Sequence, residues 1–168
     1  IQRVLDSGIY VLGKEVASFE QEFAHYSGLD YAIGEGNGTD ALFLYLKALG
    51  IGPGDEVITT PMTAAYSAFS VIYVGATPVF VDVHPDTFEI DETQLEQAIT
   101  KRTKAIIPVH LFGQPCNIQA IMTIAKRHKL KVIEDCCQAH GAQVGKRRVG
   151  TFGDVACYSF YPTKNLVG

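Results

Sequence analysis

The sequence predicts a three-layer α/β/α fold built on a mainly parallel sheet. Three observations predict it. Short β-branched or apolar runs at 56–60, 77–83, 104–111 and 130–134 alternate with segments whose apolar residues recur at helical spacing. The strand runs read as buried on both faces, as the central strands of a parallel sheet are. The connections are short and carry Gly, Pro and Asp as punctuation. At 168 residues and 47% hydrophobic, the chain is long enough for one globular domain with a real core.

Each element follows from its residues. The first thirteen form an arm with turns at Gly8 and Gly13. Val16, Phe19, Phe23 and Tyr26 give a helix from Lys14 to about Tyr26, stopped by Ser27-Gly28. Tyr31 to Ile33 reads as a short strand. A glycine-rich turn, Gly34 to Asp40, leads into an apolar helix from Ala41 to Leu49, with Thr39 or Asp40 as its cap. Pro53-Gly54 marks a turn before the strand Glu56 to Thr60. A small-residue helix from Pro61 to Tyr73 ends at Gly75, and the strand Thr77 to Val83 has Asp82 at its exit. Asp91 caps a helix to about Ile99. The strand Lys104 to Leu111 and the helix Ile118 to His128 follow. Next comes the strand Leu130 to Glu134, with Asp135 at its end. Lys146, Arg147 and Arg148 lie in a basic, solvated hairpin. The last strand runs from Val155 to Tyr161, where Pro162 ends the ladder because it has no N–H to donate.

The net charge of −4 gives no reason to expect nucleic acid or an anionic membrane as partner. No apolar run reaches the length of a membrane span and no signal-peptide pattern opens the chain, which favours the cytoplasm. Ile1 is not a start residue, so a piece of a longer polypeptide is expected. The four cysteines, Cys116, Cys136, Cys137 and Cys157, form no C-x-x-C pair, so no zinc ribbon and no metal site is expected. Adjacent Cys136 and Cys137 are either a redox pair or small buried hydrophobes of a reducing compartment, the commoner case.

Three signals stack toward chemistry. The turn before the Ala41 helix brings backbone N–H groups and a positive helix end, which suit a phosphate, with Gly38 and Thr39 as contacts. It is neither a Walker A loop nor a G-x-G-x-x-G fingerprint. Asp135 ends a buried strand. Lys164 follows a later one, either as a solvated loop lysine or as a desolvated amine nucleophile. In a parallel sheet all three open on the carboxyl edge, where ligands bind. Lysine, carboxylate and phosphate cup are the set that pyridoxal phosphate needs. Ser159 would add a hydroxyl for the phosphate and Gln138 a hydrogen bond for the ring hydroxyl. Tyr66 either stacks on a flat cofactor or fills core. His110 and His140 either face the pocket or are hydrogen-bonded core histidines.

The same residues carry a resemblance. Val132-Ile133-Glu134-Asp135-Cys136-Cys137-Gln138-Ala139-His140-Gly141-Ala142 resembles the Glu-Asp-x-x-Gln-x-His-Gly segment of the DegT-type nucleotide-sugar aminotransferases, which are fold-type I pyridoxal phosphate enzymes. Ser159-Phe160-Tyr161-Pro162-Thr163-Lys164 resembles their Ser-Phe-x-Pro-x-Lys motif. Asn37-Gly38-Thr39-Asp40, Gly52-Pro53-Gly54-Asp55, Gly75 to Asp82 and Val109 to Gly113 match in the same order, over nearly the whole chain.

The resemblance implies an aspartate-aminotransferase-like large domain over 1–168, incomplete here, with a smaller C-terminal domain absent. It implies a Schiff base between pyridoxal 5'-phosphate and Lys164, which would also shuttle protons. Asp135 would pair with the ring nitrogen and Gln138 with the phenolic oxygen, while Gly38, Thr39 and Ser159 hold the phosphate. Where the family carries an aromatic beside Thr63 this chain has Ala64, so stacking either passes to Tyr66 or is absent. The implied reaction moves an amino group from an amino acid, usually glutamate, to a keto-sugar nucleotide, in a homodimer with the site at its interface. Alternatives are another pyridoxal phosphate reaction, such as a cyclitol transaminase or a sugar dehydratase, or a non-catalytic nucleotide-binding α/β module. The dehydratases carry histidine where Lys164 stands, which argues against that branch.

Overall fold

The computed structural model describes residues 1–166. The chain forms two compact units, residues 1–35 and residues 36 onward.

The first unit holds two helices, α1 (Gln2–Ser7) and α2 (Lys14–Ser27). Helix α1 corrects the expected arm. Gly8, read as a turn, is the left-handed C-cap that ends it, with φ 67° and its amide bonded to the Leu5 carbonyl. Gly28 ends α2 in the same way, at φ 76°. Residues 31–33 form no strand, which also departs from expectation. β-Prone residues need a partner edge, and no pairing of 31–33 occurs among the described residues. The segment is held instead by the Gly34 amide, which donates to Glu20 Oε1 at 2.7 Å.

The second unit is built on a five-stranded sheet. Its strands are β1 (Glu56–Thr59), β2 (Thr77–Phe80), β3 (Thr103–Ile106), β4 (Lys131–Asp135) and β7 (Val155–Cys157). Their order is β2-β1-β3-β4-β7, and every pairing is parallel. A small antiparallel hairpin, β5 (Gln143–Val144) and β6 (Arg147–Arg148), sits between β4 and β7 in sequence. Strand residues alternate between two cores. Val57, Ala105, Ile107, Ile133 and Cys157 pack with Leu42 and Leu46 of α3 (Gly38–Ala48) and Val71 of α4 (Tyr66–Tyr73). Ile58, Ile106 and Val132 pack with Leu95 of α5 (Leu95–Ala98) and with Ile118, Ile121 and Ala125 of α6 (Ile118–His128). Helices therefore cover both faces, which makes the three layers, and explains why the strand runs are apolar at consecutive positions.

Boundaries moved where local bonds compete with the ladder. Helix α4 starts at Tyr66 rather than Pro61, because the Thr60 hydroxyl accepts the Met62 amide and the first helical bond is Phe69 N–H to the Ala65 carbonyl. Strand β2 stops at Phe80, beyond which Val83 bridges back to Ile90. Strand β7 stops at Cys157, well short of Tyr161. Asp91 caps as expected, accepting the Thr93 amide at 3.0 Å.

Candidate active site

Strands β4 and β7 are neighbours, with Asp135 opposite Cys157 at their carboxyl ends. Asp135 thus reaches the edge where a parallel sheet opens to ligands. It is 6% exposed, and two donors fix its carboxylate: Ser67 Oγ at 2.8 Å and the Cys137 amide at 3.1 Å. Ser67 is itself buried on α4, one residue after Tyr66. Sequence reasoning missed it, since its partner lies 68 residues away.

Gly38 opens α3 and is packed against the segment after β7. A Cβ there would stand 3.0 Å from Cys137 Sγ and 3.2 Å from Ser159 Cβ, so a side chain would require these neighbours to give by a few tenths of an ångström. The predicted phosphate residues Gly38 and Ser159 are therefore in contact. The helix cap differs from expectation: Asn37 Oδ1 accepts the amides of both Thr39 and Asp40 at 3.0 Å. The cap thus lies two residues before Thr39, and Thr39 and Asp40 are capped donors of the first turn rather than the cap.

Cys137 lies beside two of the predicted residues, its amide on the Asp135 carboxylate and its thiol over Gly38. Its thiol is pushed up chiefly by burial and next by the Asp135 charge, while the Lys164 ammonium pulls it down. Asp135 and Lys164 thus act on one side chain that also touches the space over Gly38. Lys164 sits on a turn, its amide bonded to the Tyr161 carbonyl at 2.8 Å. His140 stands between Tyr158, at 5.4 Å, and Phe160, at 5.2 Å. Burial lowers its pKa and the Lys164 charge acts in the same direction, against hydrogen bonding with Asn165 and the Ser159 backbone. Cys136 and Cys157 are buried thiols raised by desolvation, which makes them poor nucleophiles.

Gln138 Oε1 accepts the Phe112 amide at 3.0 Å. An amide N–H only donates, so the bonded atom is the oxygen and Nε2 remains a donor for another group. That is the polarity a phenolic oxygen needs. Tyr66 is 60% exposed and meets Phe69 edge-on at 6.3 Å, so it is not core filling.

His110 belongs to the core. It is fully buried, its Nδ1 accepts the Cys116 amide at 3.0 Å and its Nε2 lies 3.1 Å from Glu134 Oε2. Because Nδ1 accepts, the proton is on Nε2 and the ring is neutral. Glu134 also accepts the amides of Gly150, Phe152 and Gly153 at 2.7, 2.7 and 2.6 Å. Burial alone would push Glu134 up, but the His110 bond and these amides together hold it below the usual range. Adjacent Glu134 and Asp135 thus face opposite sides, one pinning the 143–153 hairpin and the other facing the site.

The residues present suit pyridoxal phosphate. A glycine cradle lies against a serine, a held carboxylate stands at the strand end, and the chain adds an oriented amide donor at Gln138 and a turn that carries Lys164. The chain spans somewhat under half the length of the curated relatives it matches. The UDP-N-acetyl-3-dehydro-alpha-D-glucosamine 3-aminotransferase of Acidithiobacillus ferrooxidans is 51% identical over 166 residues, 99% of this chain and 45% of that protein. Among solved structures, DesV of Streptomyces venezuelae, in complex with a ketimine intermediate, has a TM-score of 0.96 at 51% identity, over 99% of this chain and 45% of that one. NtdA from Bacillus subtilis, with bound cofactor PMP, has a TM-score of 0.94 at 40% identity, over 99% of this chain and 37% of that one. The DegT/DnrJ/EryC1/StrS aminotransferase family is matched by residues 1–168, the whole sequence, and the chain belongs to that family.

Proposed function

We propose that this chain is the cofactor-binding part of a pyridoxal phosphate aminotransferase that moves an amino group from an amino acid, glutamate above all, to a keto-sugar nucleotide. The observation that carries the reading is the close packing of Gly38 against Cys137 and Ser159, with the Cys137 amide bonded to the Asp135 carboxylate. The names of the relatives, sugar-nucleotide aminotransferases at about half identity, support the substrate class. When bound, pyridoxal phosphate supplies an electron sink that acidifies the carbon bearing the amine. Asp135, already oriented by Ser67, would hold a proton on the ring nitrogen. Gln138 Nε2 would donate to the ring oxygen, and Gly38, Thr39 and Ser159 would bind the phosphate. Lys164 Nζ would be the point of covalent attachment and would then move the proton at the substrate carbon. Tyr66 would lie over the ring. The relatives' greater length supports a second, smaller domain beyond residue 168 in the complete protein. The exposed face of α4, with Phe69, Ile72 and Tyr73, supports a homodimer. Among the described residues no helix is long and apolar enough to cross a membrane, in keeping with work in the cytoplasm.

Borohydride reduction of the complete, cofactor-loaded protein, followed by peptide mapping, should tag Lys164. A tag on any other lysine, within this chain or beyond it, refutes the attachment. Product analysis with sugar nucleotides against cyclitol and other ketones tests the substrate class. A complete protein that takes up no pyridoxal phosphate refutes the whole reading in favour of a non-catalytic α/β module.

A further inference from the structure

We propose that Glu89 is a positioning residue for the cofactor site: by holding the Leu111 amide it keeps Phe112 in a left-handed turn and so aims the side chain of Gln138. The inference rests on the reading that Gln138 faces the cofactor.

Glu89 lies in the loop after β2, between the bridged residues Val83 and Ile90, and is 3% exposed. A carboxyl group so buried needs partners. Its Oε1 accepts the Leu111 amide at 3.1 Å and its Oε2 accepts the Cys116 thiol at 2.8 Å. One side chain thus ties both ends of the 111–116 loop. The next amide along, that of Phe112, donates to Gln138 Oε1 at 3.0 Å.

Phe112 is the outlier that gives this arrangement meaning. Its φ of 54° and ψ of 15° are left-handed, a strained conformation for a non-glycine residue. Its ring is 74% exposed, so burial of the ring does not hold it there. Three bonds do: the Gln114 amide closes the turn on the Leu111 carbonyl at 2.9 Å, the Leu111 amide is tied to Glu89, and the Phe112 amide to Gln138. The same segment carries the other cofactor-facing residue. Asp135 donates its amide to the Pro108 carbonyl at 2.9 Å and accepts the His110 amide at 3.1 Å. Residues 108–110 brace Asp135 through their own backbone bonds, and Glu89 acts at the other end, residues 111–112, which reaches Gln138. On the outer side of Glu89 lies a cavity of about 460 Å³, lined also by His84, Gln114 and Asn117.

The test uses the complete polypeptide with Glu89→Ala, Glu89→Gln, Gln138→Ala and the Glu89→Ala/Gln138→Ala double variant. Two quantities are read: amide exchange at Phe112 in cofactor-free protein, and the dissociation constant for pyridoxal phosphate. Glu89→Ala should speed Phe112 exchange and weaken cofactor binding by up to about tenfold, the effect of one hydrogen bond. Glu89→Gln keeps an acceptor for Leu111 and should restore both. With Gln138 already alanine, Glu89→Ala should weaken binding no further. If Glu89→Ala does not fold, Glu89→Asp, which keeps the charge on a shorter arm, serves the same comparison. Unchanged Phe112 exchange, or effects of the two single variants that multiply, overturns the proposal. Faster exchange together with a Gln138→Ala protein that binds cofactor as well as wild type overturns it differently, because it removes Gln138 from the cofactor site.

Discussion

Replacing Glu134 with glutamine changes no volume and tests the buried carboxylate directly. Oε1 accepts the Phe152 and Gly153 amides, and Oε2 accepts the Gly150 amide and faces His110 Nε2. A glutamine has one oxygen. In either orientation its NH₂ faces two buried donors in place of an acceptor. His110 cannot relieve the conflict by moving its proton to Nδ1, because the Cys116 amide donates there. Two buried donors left unpaired cost about 1–3 kcal/mol each, so the loss should be about 4 kcal/mol. The measurement is the urea midpoint of the complete polypeptide, with the slope compared to confirm the same transition. Far less than the loss of a whole midpoint step is needed to refute the reasoning: a change under about 1 kcal/mol would show that these amides find other partners. Glu134→Ala is no substitute for this test, because it opens a space that water can fill.

Three further outcomes follow from named groups. Burial raises Glu89 from an ordinary 4.5 to about 7, so the folded chain binds this proton more tightly than the unfolded one. Its contribution to stability is complete below pH 4.5 and is lost as pH rises through 7; Glu89→Gln should be more stable than wild type at pH 8, by at most about 3 kcal/mol, and a variant without that pH-dependent difference contradicts the shift. Gly38→Ala forces a methyl to 3.0 Å from Cys137 Sγ, so it should cost about 1–3 kcal/mol and weaken pyridoxal phosphate binding, read by thermal unfolding with and without cofactor. Lys129 caps α6 at φ 57°, a conformation glycine adopts freely, so Lys129→Gly should raise stability by about 1 kcal/mol in the same unfolding measurement.

The layers and the strand order's parallel sense were legible because helix period and buried strand runs alternate without interruption. Asp135 at a strand end and Gly38 at a helix start were legible for the same reason: sheet geometry sends both to one edge. What the sequence hid is non-local. Ser67 reaches Asp135 across 68 positions and Phe112 reaches Gln138 across 26, and neither spacing has a local signature. Short-range competition hid the rest. Asn37 took the cap from Thr39 and Asp40, Thr60 delayed α4, and Gly8 proved to end a helix rather than to mark a bare turn. Tyr31 to Ile33 has strand-forming residues but no paired neighbour, and β structure needs one.

Strand β4 sets two carboxylates side by side, and the pleat sends them to different duties. A slip of one position in the pairing of β4 with β7 would exchange them. Glu134 would then be offered to the ligand edge and Asp135 to the hairpin, with an acidic group still present at each place. The shorter aspartate would fall about one methylene short of the three amides that now converge on its neighbour. Substitutions that swap the two acids, Glu134→Asp with Asp135→Glu, preserve composition and charge yet strip both stations of their fit. Side-chain length, rather than acidity, is what keeps this pair from being interchangeable.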